Sequence, residues 1–134
     1  MDPQRLKDNF ALVGEKGEDI AAFFYADLFG RNPALRGMFP AEMGRQHQKL
    51  LDALARIVSR VDDAGQLVPF LQDLGRRHVM YGVAPEHYTE VGNSLLATLE
   101  HFSGPAWSEE LRRDWAAAYG LVSQVMVEAG ADRA

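Results

Sequence analysis

Four histidines, His47, His78, His87 and His101, are the natural candidates for nitrogen ligands or near-neutral bases, and no cysteine accompanies them. They form no His-Glu-x-x-His zinc pattern, and the carboxylates do not repeat as the Glu-x-x-His pairs of a di-iron bundle. The zero cysteine count removes disulfides, thiolate nucleophiles, thiolate zinc sites and cysteine-ligated iron–sulfur clusters, and is compatible with a reducing compartment. His78 stands apart. It closes a segment with Phe70, Leu71 and Leu74 on one face, and Tyr88 follows ten residues later. Spacing alone admits two readings of it, a hydrogen-bonded core histidine and a ligand.

The elements that must position these side chains are helical. Leu6, Phe10 and Val13 recur at helical spacing and predict a first helix fading near Gly14 or Gly17. A second starts near Glu18, carries Ile20, Phe23, Phe24, Tyr25 and Leu28, and stops at Gly30. Asn32-Pro33 reads as cap and first residue of a short turn reaching Phe39. A third helix begins between Glu42 and Gln46, buries Leu50, Leu54, Ile57, Val58 and Val61, and ends around Asp62 to Gly65. Leu67, Phe70, Leu71 and Leu74 continue to His78, with a break at Gly82 to Pro85. Tyr88, Val91, Leu95 and Leu99 then mark a long helix, with Gly92 small enough for a close crossing. The last runs from about Ser108 to Glu128 on a stripe of Leu111, Trp115, Tyr119, Val122 and Met126. No segment shows the alternation of a sheet, and there is no internal repeat. The expectation is one all-α domain, residues 1–134, with six or seven helices.

Composition bounds the function. A chain of 134 residues with 47% hydrophobic and 25% charged residues can bury a core without staples. Its formal charge of −5 argues against a non-specific grip on nucleic acid or anionic lipid. No apolar run approaches the roughly 18 to 20 residues that cross a bilayer, and Met1-Asp2-Pro3-Gln4-Arg5 does not read as a signal peptide. The expected protein is cytoplasmic, without stable membrane insertion.

A haem iron needs one imidazole nitrogen as ligand, an acceptor for the other, and an opposite face that excludes water while offering a few polar groups. Tyr25 and Gln46 supply such groups if their helices meet there. In order along nearly the whole chain stand Phe24-Tyr25-x-x-Leu28-Phe29, Met38-Phe39, Gln46-x-x-x-Leu50, the approach to His78, His87-Tyr88-x-x-Val91-Gly92 and Trp115-x-x-x-Tyr119-Gly120. This set resembles the bacterial single-domain globins and the haem domain of flavohaemoglobins.

The resemblance implies a three-over-three globin fold around haem b, iron protoporphyrin IX, with His78 as proximal iron ligand. It makes Phe39 the aromatic wedged against the haem, and Tyr25 and Gln46 the distal pair that donates hydrogen bonds to the partial negative charge of dioxygen. Leu50 becomes the distal wall, and Leu74, Val83, Val91, Tyr119 and Met126 line the remaining haem surface, each with plain core packing as its ordinary alternative. His47 and Arg77 fall near a propionate edge or are solvated surface groups, and His87 and His101 are structural or surface groups. Two departures stand out. The stretch from Phe39 to Gln46 is shorter than in flavohaemoglobins. Tyr88 matches the tyrosine of their proximal network, but Gly130 occupies the position of its glutamate, and Glu128 lies two residues away, about 200° around a helix.

The resemblance implies reversible binding of dioxygen, with carbon monoxide and nitric oxide as further ligands, at a pentacoordinate or ligand-displaceable iron, in the manner of an oxygen-transport protein. Its alternative is a nitric oxide dioxygenase drawing electrons from a reductase in trans, since the chain has no Gly-x-Gly-x-x-Gly motif. A gas sensor and a haem-free helical module are weaker readings. The expected assembly is a monomer or homodimer.

Overall fold

The computed structural model describes residues 1–131, and within them the chain forms six α-helices and two short 3-10 turns. The α-helices are α1 (Pro3–Gly14), α2 (Glu18–Arg31), α3 (Gly44–Ser59), α4 (Ala64–Met80), α5 (Pro85–Ser103) and α6 (Glu109–Ala131). Their starts follow from local chemistry. The Asp2 carboxylate accepts from the backbone N–H groups of Gln4 and Arg5 at 3.0 and 3.2 Å, with Pro3 behind it. Asp63 caps α4 through the Gln66 N–H, and the Ser108 hydroxyl caps α6 through the Leu111 N–H. Gly17 separates α1 from α2 at a φ of 56°, in the left-handed region that glycine tolerates. Asn32 departs from expectation: its amide does not cap the 3-10 turn Pro33–Met38, but donates to Glu90 of α5 at 2.9 Å.

The helices stack three over three, α1, α3 and α4 in one layer and α2, α5 and α6 in the other. α2 crosses α5 and α3, α4 packs along α6, and α1 closes the far end against α3, α5 and α6. The core is correspondingly divided. One apolar cluster holds Leu6, Val13, Ile20, Phe24, Leu28, Leu99 and Trp115; a second holds Leu67, Leu71, Val122 and Met126 between α4 and α6. Each such side chain stabilises the fold by about 1.5–3 kcal/mol on burial. α3 and α4 are consecutive in the chain yet do not pack face to face.

Two polar devices tie α1 to the rest. The Trp115 indole N–H donates to the Asn9 amide oxygen at 2.9 Å, and the Asn9 amide nitrogen donates to the Ser103 hydroxyl at 2.9 Å, joining α1, α5 and α6 inside the core. Asp114, buried in α6, pairs with the Arg5 guanidinium and accepts from the Asp2 N–H. Arg5 holds the Asp114 carboxyl below the usual carboxylate range. A carboxyl whose folded pKa is depressed stabilises the fold above its unfolded pKa, and that stability is lost as pH falls through the folded value. The urea midpoint should therefore fall on acidification below about pH 4, the range of an unperturbed carboxylate. In Asp114→Asn it should be lower at neutral pH and less dependent on acid. An unchanged acid limb in the variant would place the effect elsewhere.

The crossing of α4 on α6 is close enough to exclude a Cβ at Gly75, which would lie 2.4 Å from the Met126 carbonyl oxygen and 2.7 Å from its Cα. Backbone cannot yield as a side chain can. Gly75→Ala should cost at least about 1–3 kcal/mol by overpacking. His78 lies one turn further along α4, and the loss of stability is measurable by the denaturant midpoint.

Candidate functional site

Tyr25 lies on the inward face of α2 and is 5% exposed. Gln46, in the first turn of α3, donates its amide N–H to the Tyr25 hydroxyl at 2.9 Å. Aromatic rings fix the phenol: Phe24 lies 5.0 Å away edge-on, Phe39 5.5 Å edge-on, and Phe29 5.8 Å stacked. Burial pushes the Tyr25 phenol up, and the Gln46 hydrogen bond only partly offsets this, so the group stays protonated at neutral pH and is a donor. Leu50 follows Gln46 by one turn, half-buried.

His78 sits near the C-terminal end of α4. Its Nδ1–H donates to the Leu74 carbonyl at 2.8 Å, one turn back on the same helix. This fixes the tautomer and leaves the lone pair on Nε2, the ring nitrogen further from the backbone. Burial lowers the His78 pKa, the Leu74 carbonyl opposes that, and the Arg77 charge adds to it, so the imidazole is neutral. A neutral ring with Nδ1 occupied and Nε2 free is the form that binds a metal. Tyr81 lies 5.9 Å from the ring, and Tyr88, at the start of α5, stacks 6.4 Å away. The Val83 N–H closes the turn on the His78 carbonyl at 3.0 Å.

These features suit haem. Phe39, Leu50, Leu74, Val83, Tyr88 and Val91 are all half-buried, unlike the sealed members of the two core clusters. A flat apolar macrocycle needs such walls, one neutral nitrogen ligand, and donors for the bound gas. Among the described residues no group of three or more histidines and carboxylates could hold a bare metal ion instead.

Other candidate residues are engaged elsewhere. His47 is stacked on Tyr25 at 5.5 Å, and its Nδ1–H donates to Glu18 of α2 at 3.2 Å, so it braces the back of the phenol. Arg77 pairs with Asp73 at 3.1 Å along the outer side of α4. Met126 is buried in the α4–α6 cluster, with its backbone against Gly75. The Tyr119 hydroxyl donates to the Tyr88 carbonyl at 2.6 Å while its ring fills the space beside Gly92, so it holds the start of α5. Both tyrosines also line a surface groove of about 470 Å³ between α5 and α6. His87 accepts from the Ala84 N–H at the start of α5, and His101 stacks on Phe23 at 4.4 Å.

Glu128 does not replace the missing proximal glutamate. It is exposed and accepts from Gln124 of its own helix at 3.2 Å. At position 130 the space is taken, since a Cβ there would lie 2.5 Å from Val79 Cγ2. Gly130→Glu should therefore lower stability, but by less than Gly75→Ala, because the obstacle is the exposed Val79 side chain and not backbone. A gain in thermal midpoint would show that α4 yields more readily than this packing implies. Sequence reasoning missed Arg36, which donates to the carbonyls of Phe39, Pro40 and Ala41. No local pattern announces a side chain folding back on its own corner.

The globin family profile matches residues 22–126, and the chain belongs to the globin family. It is 36% identical over 132 residues to a flavohemoprotein of Bordetella parapertussis, covering 96% of this chain and 32% of that protein. A flavohemoprotein of Vibrio cholerae is 29% identical over 126 residues, covering 92% of this chain and 32% of its own length. The chain thus spans about a third of the curated relatives it matches. Among solved structures, a bacterial globin from Campylobacter jejuni superposes with a TM-score of 0.84 at 26% identity, covering 97% of this chain and 94% of that one. An engineered carbene transferase from Rhodothermus marinus, whose parent is provisionally assigned as a nitric oxide dioxygenase, superposes with a TM-score of 0.86 at 25% identity, covering 97% and 91%. Among the described residues no helix is long and apolar enough to cross a membrane.

Proposed function

We propose that this globin binds dioxygen reversibly, with carbon monoxide and nitric oxide as alternative ligands, at a b-type haem ligated by His78 in the cytoplasm. The observation that carries the reading is the part-buried donor pair, Gln46 hydrogen-bonded to buried Tyr25, in a fold whose α4 offers a neutral imidazole with Nε2 free. A haem held there by His78 would supply ferrous iron able to bind a diatomic gas. The chain does the rest. His78 is oriented by the Leu74 carbonyl, a weaker acceptor than a carboxylate, which keeps imidazolate character low and favours reversible binding over peroxide chemistry. Tyr25 and Gln46 donate toward a ligand that becomes polarised, and Phe39 and Leu50 keep water from competing.

A second reading, conversion of dioxygen and nitric oxide to nitrate with electrons from a reductase, is supported by the Rhodothermus neighbour and the flavohemoprotein relatives. Stopped-flow spectroscopy separates the two. The reduced protein should saturate with dioxygen and release it unchanged when dioxygen is removed; immediate oxidation to the ferric form would contradict reversible binding. Nitrate produced over many turnovers with a flavin reductase present would select the enzyme.

A further inference from the structure

We infer that Arg36 is a positioning residue that sets the distal wall through the backbone of Phe39; the inference rests on the gas-binding reading above. Residues 39–43, between the 3-10 turn and α3, belong to no helix, yet they carry Phe39 into contact with Tyr25. One side chain satisfies three successive carbonyls there. Arg36 Nη1 donates to the Phe39 and Pro40 oxygens at 3.2 and 3.1 Å, and Nη2 donates to Ala41 at 3.2 Å. The same guanidinium lies over the Phe29 ring, 5.4 Å from its centroid. Phe29 in turn touches Phe39 at 5.4 Å and Tyr25 at 5.8 Å.

Arg36 therefore grips the Phe39 corner from the backbone side and the Tyr25–Phe29–Phe39 triangle from behind. A planar fork with several fixed donors can do both at once, whereas a lysine ammonium is a single point that must choose. A corner of irregular chain has many conformations to lose, and three bonds to one rigid group remove most of them. Without that grip Phe39 drifts from Tyr25, and water reaches the hydroxyl that Gln46 orients.

The test compares Arg36→Lys with the parent as haem-loaded protein, and with Arg113→Lys, which alters an exposed i,i+4 pair with Glu109, as control. The infrared C–O stretch of bound carbon monoxide reports the polarity beside Tyr25, and the dioxygen dissociation rate reports the hydrogen bonds. In Arg36→Lys the C–O band should shift or split, and dissociation should quicken by about threefold to tenfold, with haem content and thermal midpoint near the parent's. The control should match the parent in both. Unchanged band and rate in Arg36→Lys would overturn the inference. A parent that binds no carbon monoxide would sink the gas-binding reading instead. Amide hydrogen exchange over residues 39–43 then decides: faster exchange in Arg36→Lys supports the grip, and equal exchange refutes it.

Discussion

Replacing His78 with glycine is expected to abolish the carbon monoxide-dependent Soret shift of the reduced protein while the far-ultraviolet helical signal persists, and added imidazole is expected to restore the shift. The expectation follows from how little else the ring does. Its hydrogen bond is to the Leu74 carbonyl of its own helix, and its aromatic neighbours, Tyr81 and Tyr88, are anchored in backbone that does not depend on it. Glycine inside a helix costs about 1 kcal/mol, a small fraction of a domain's stability. Loss of the ligand should reduce haem retention by more than the order of 10- to 100-fold that outer-shell changes cause. Free imidazole fits the space left by the side chain. A variant that kept the parent's spectra without imidazole would show that another residue ligates the iron.

The second large effect belongs to the distal pair. Tyr25→Phe removes the hydroxyl of a residue that is 5% exposed within an aromatic ring cluster, and nearly preserves shape. A hydrogen bond to a charged or strongly polarised group contributes about 1.5–3 kcal/mol, so dioxygen dissociation should quicken by about 10- to 150-fold. Carbon monoxide, which becomes far less polarised, should change little. Gln46→Leu should act in the same direction but less than independently, because the Gln46 amide donates to Tyr25 at 2.9 Å and the two form one network. Equal effects of Tyr25→Phe on both gases would mean that the residue acts through packing alone.

Much of the positioning frame was legible in sequence because it depends on local rules. Gly17, the Gly82 to Pro85 break and Ser103-Gly104-Pro105 fall where helices end, since glycine and proline act on the backbone at their own position. Spacing left open whether the helices carrying Tyr25 and Gln46 meet and only the resemblance paired them; the two side chains do meet despite the short corner after Phe39. Contacts made by helix crossings were not legible. Asn9 reads as an ordinary polar residue until Trp115 and Ser103 arrive from α6 and α5. His47 reads as a propionate-edge or surface group until α2 brings Glu18 and the Tyr25 ring to it. The fate of Glu128 turns on helical phase, which leaves its carboxylate beside Gln124 at the surface. Arg36 could not be read at all, because its partners are backbone oxygens that every residue possesses.

The central claim, that His78 holds a haem iron which binds diatomic gas, is tested most directly by titrating the purified, dithionite-reduced protein with carbon monoxide while recording its visible spectrum. The account predicts a coloured protein whose Soret band shifts through a single transition, saturates at one carbon monoxide per chain, and returns when the gas is removed. A colourless protein that takes up no added haem, or a haem complex whose spectrum ignores the gas, would contradict it.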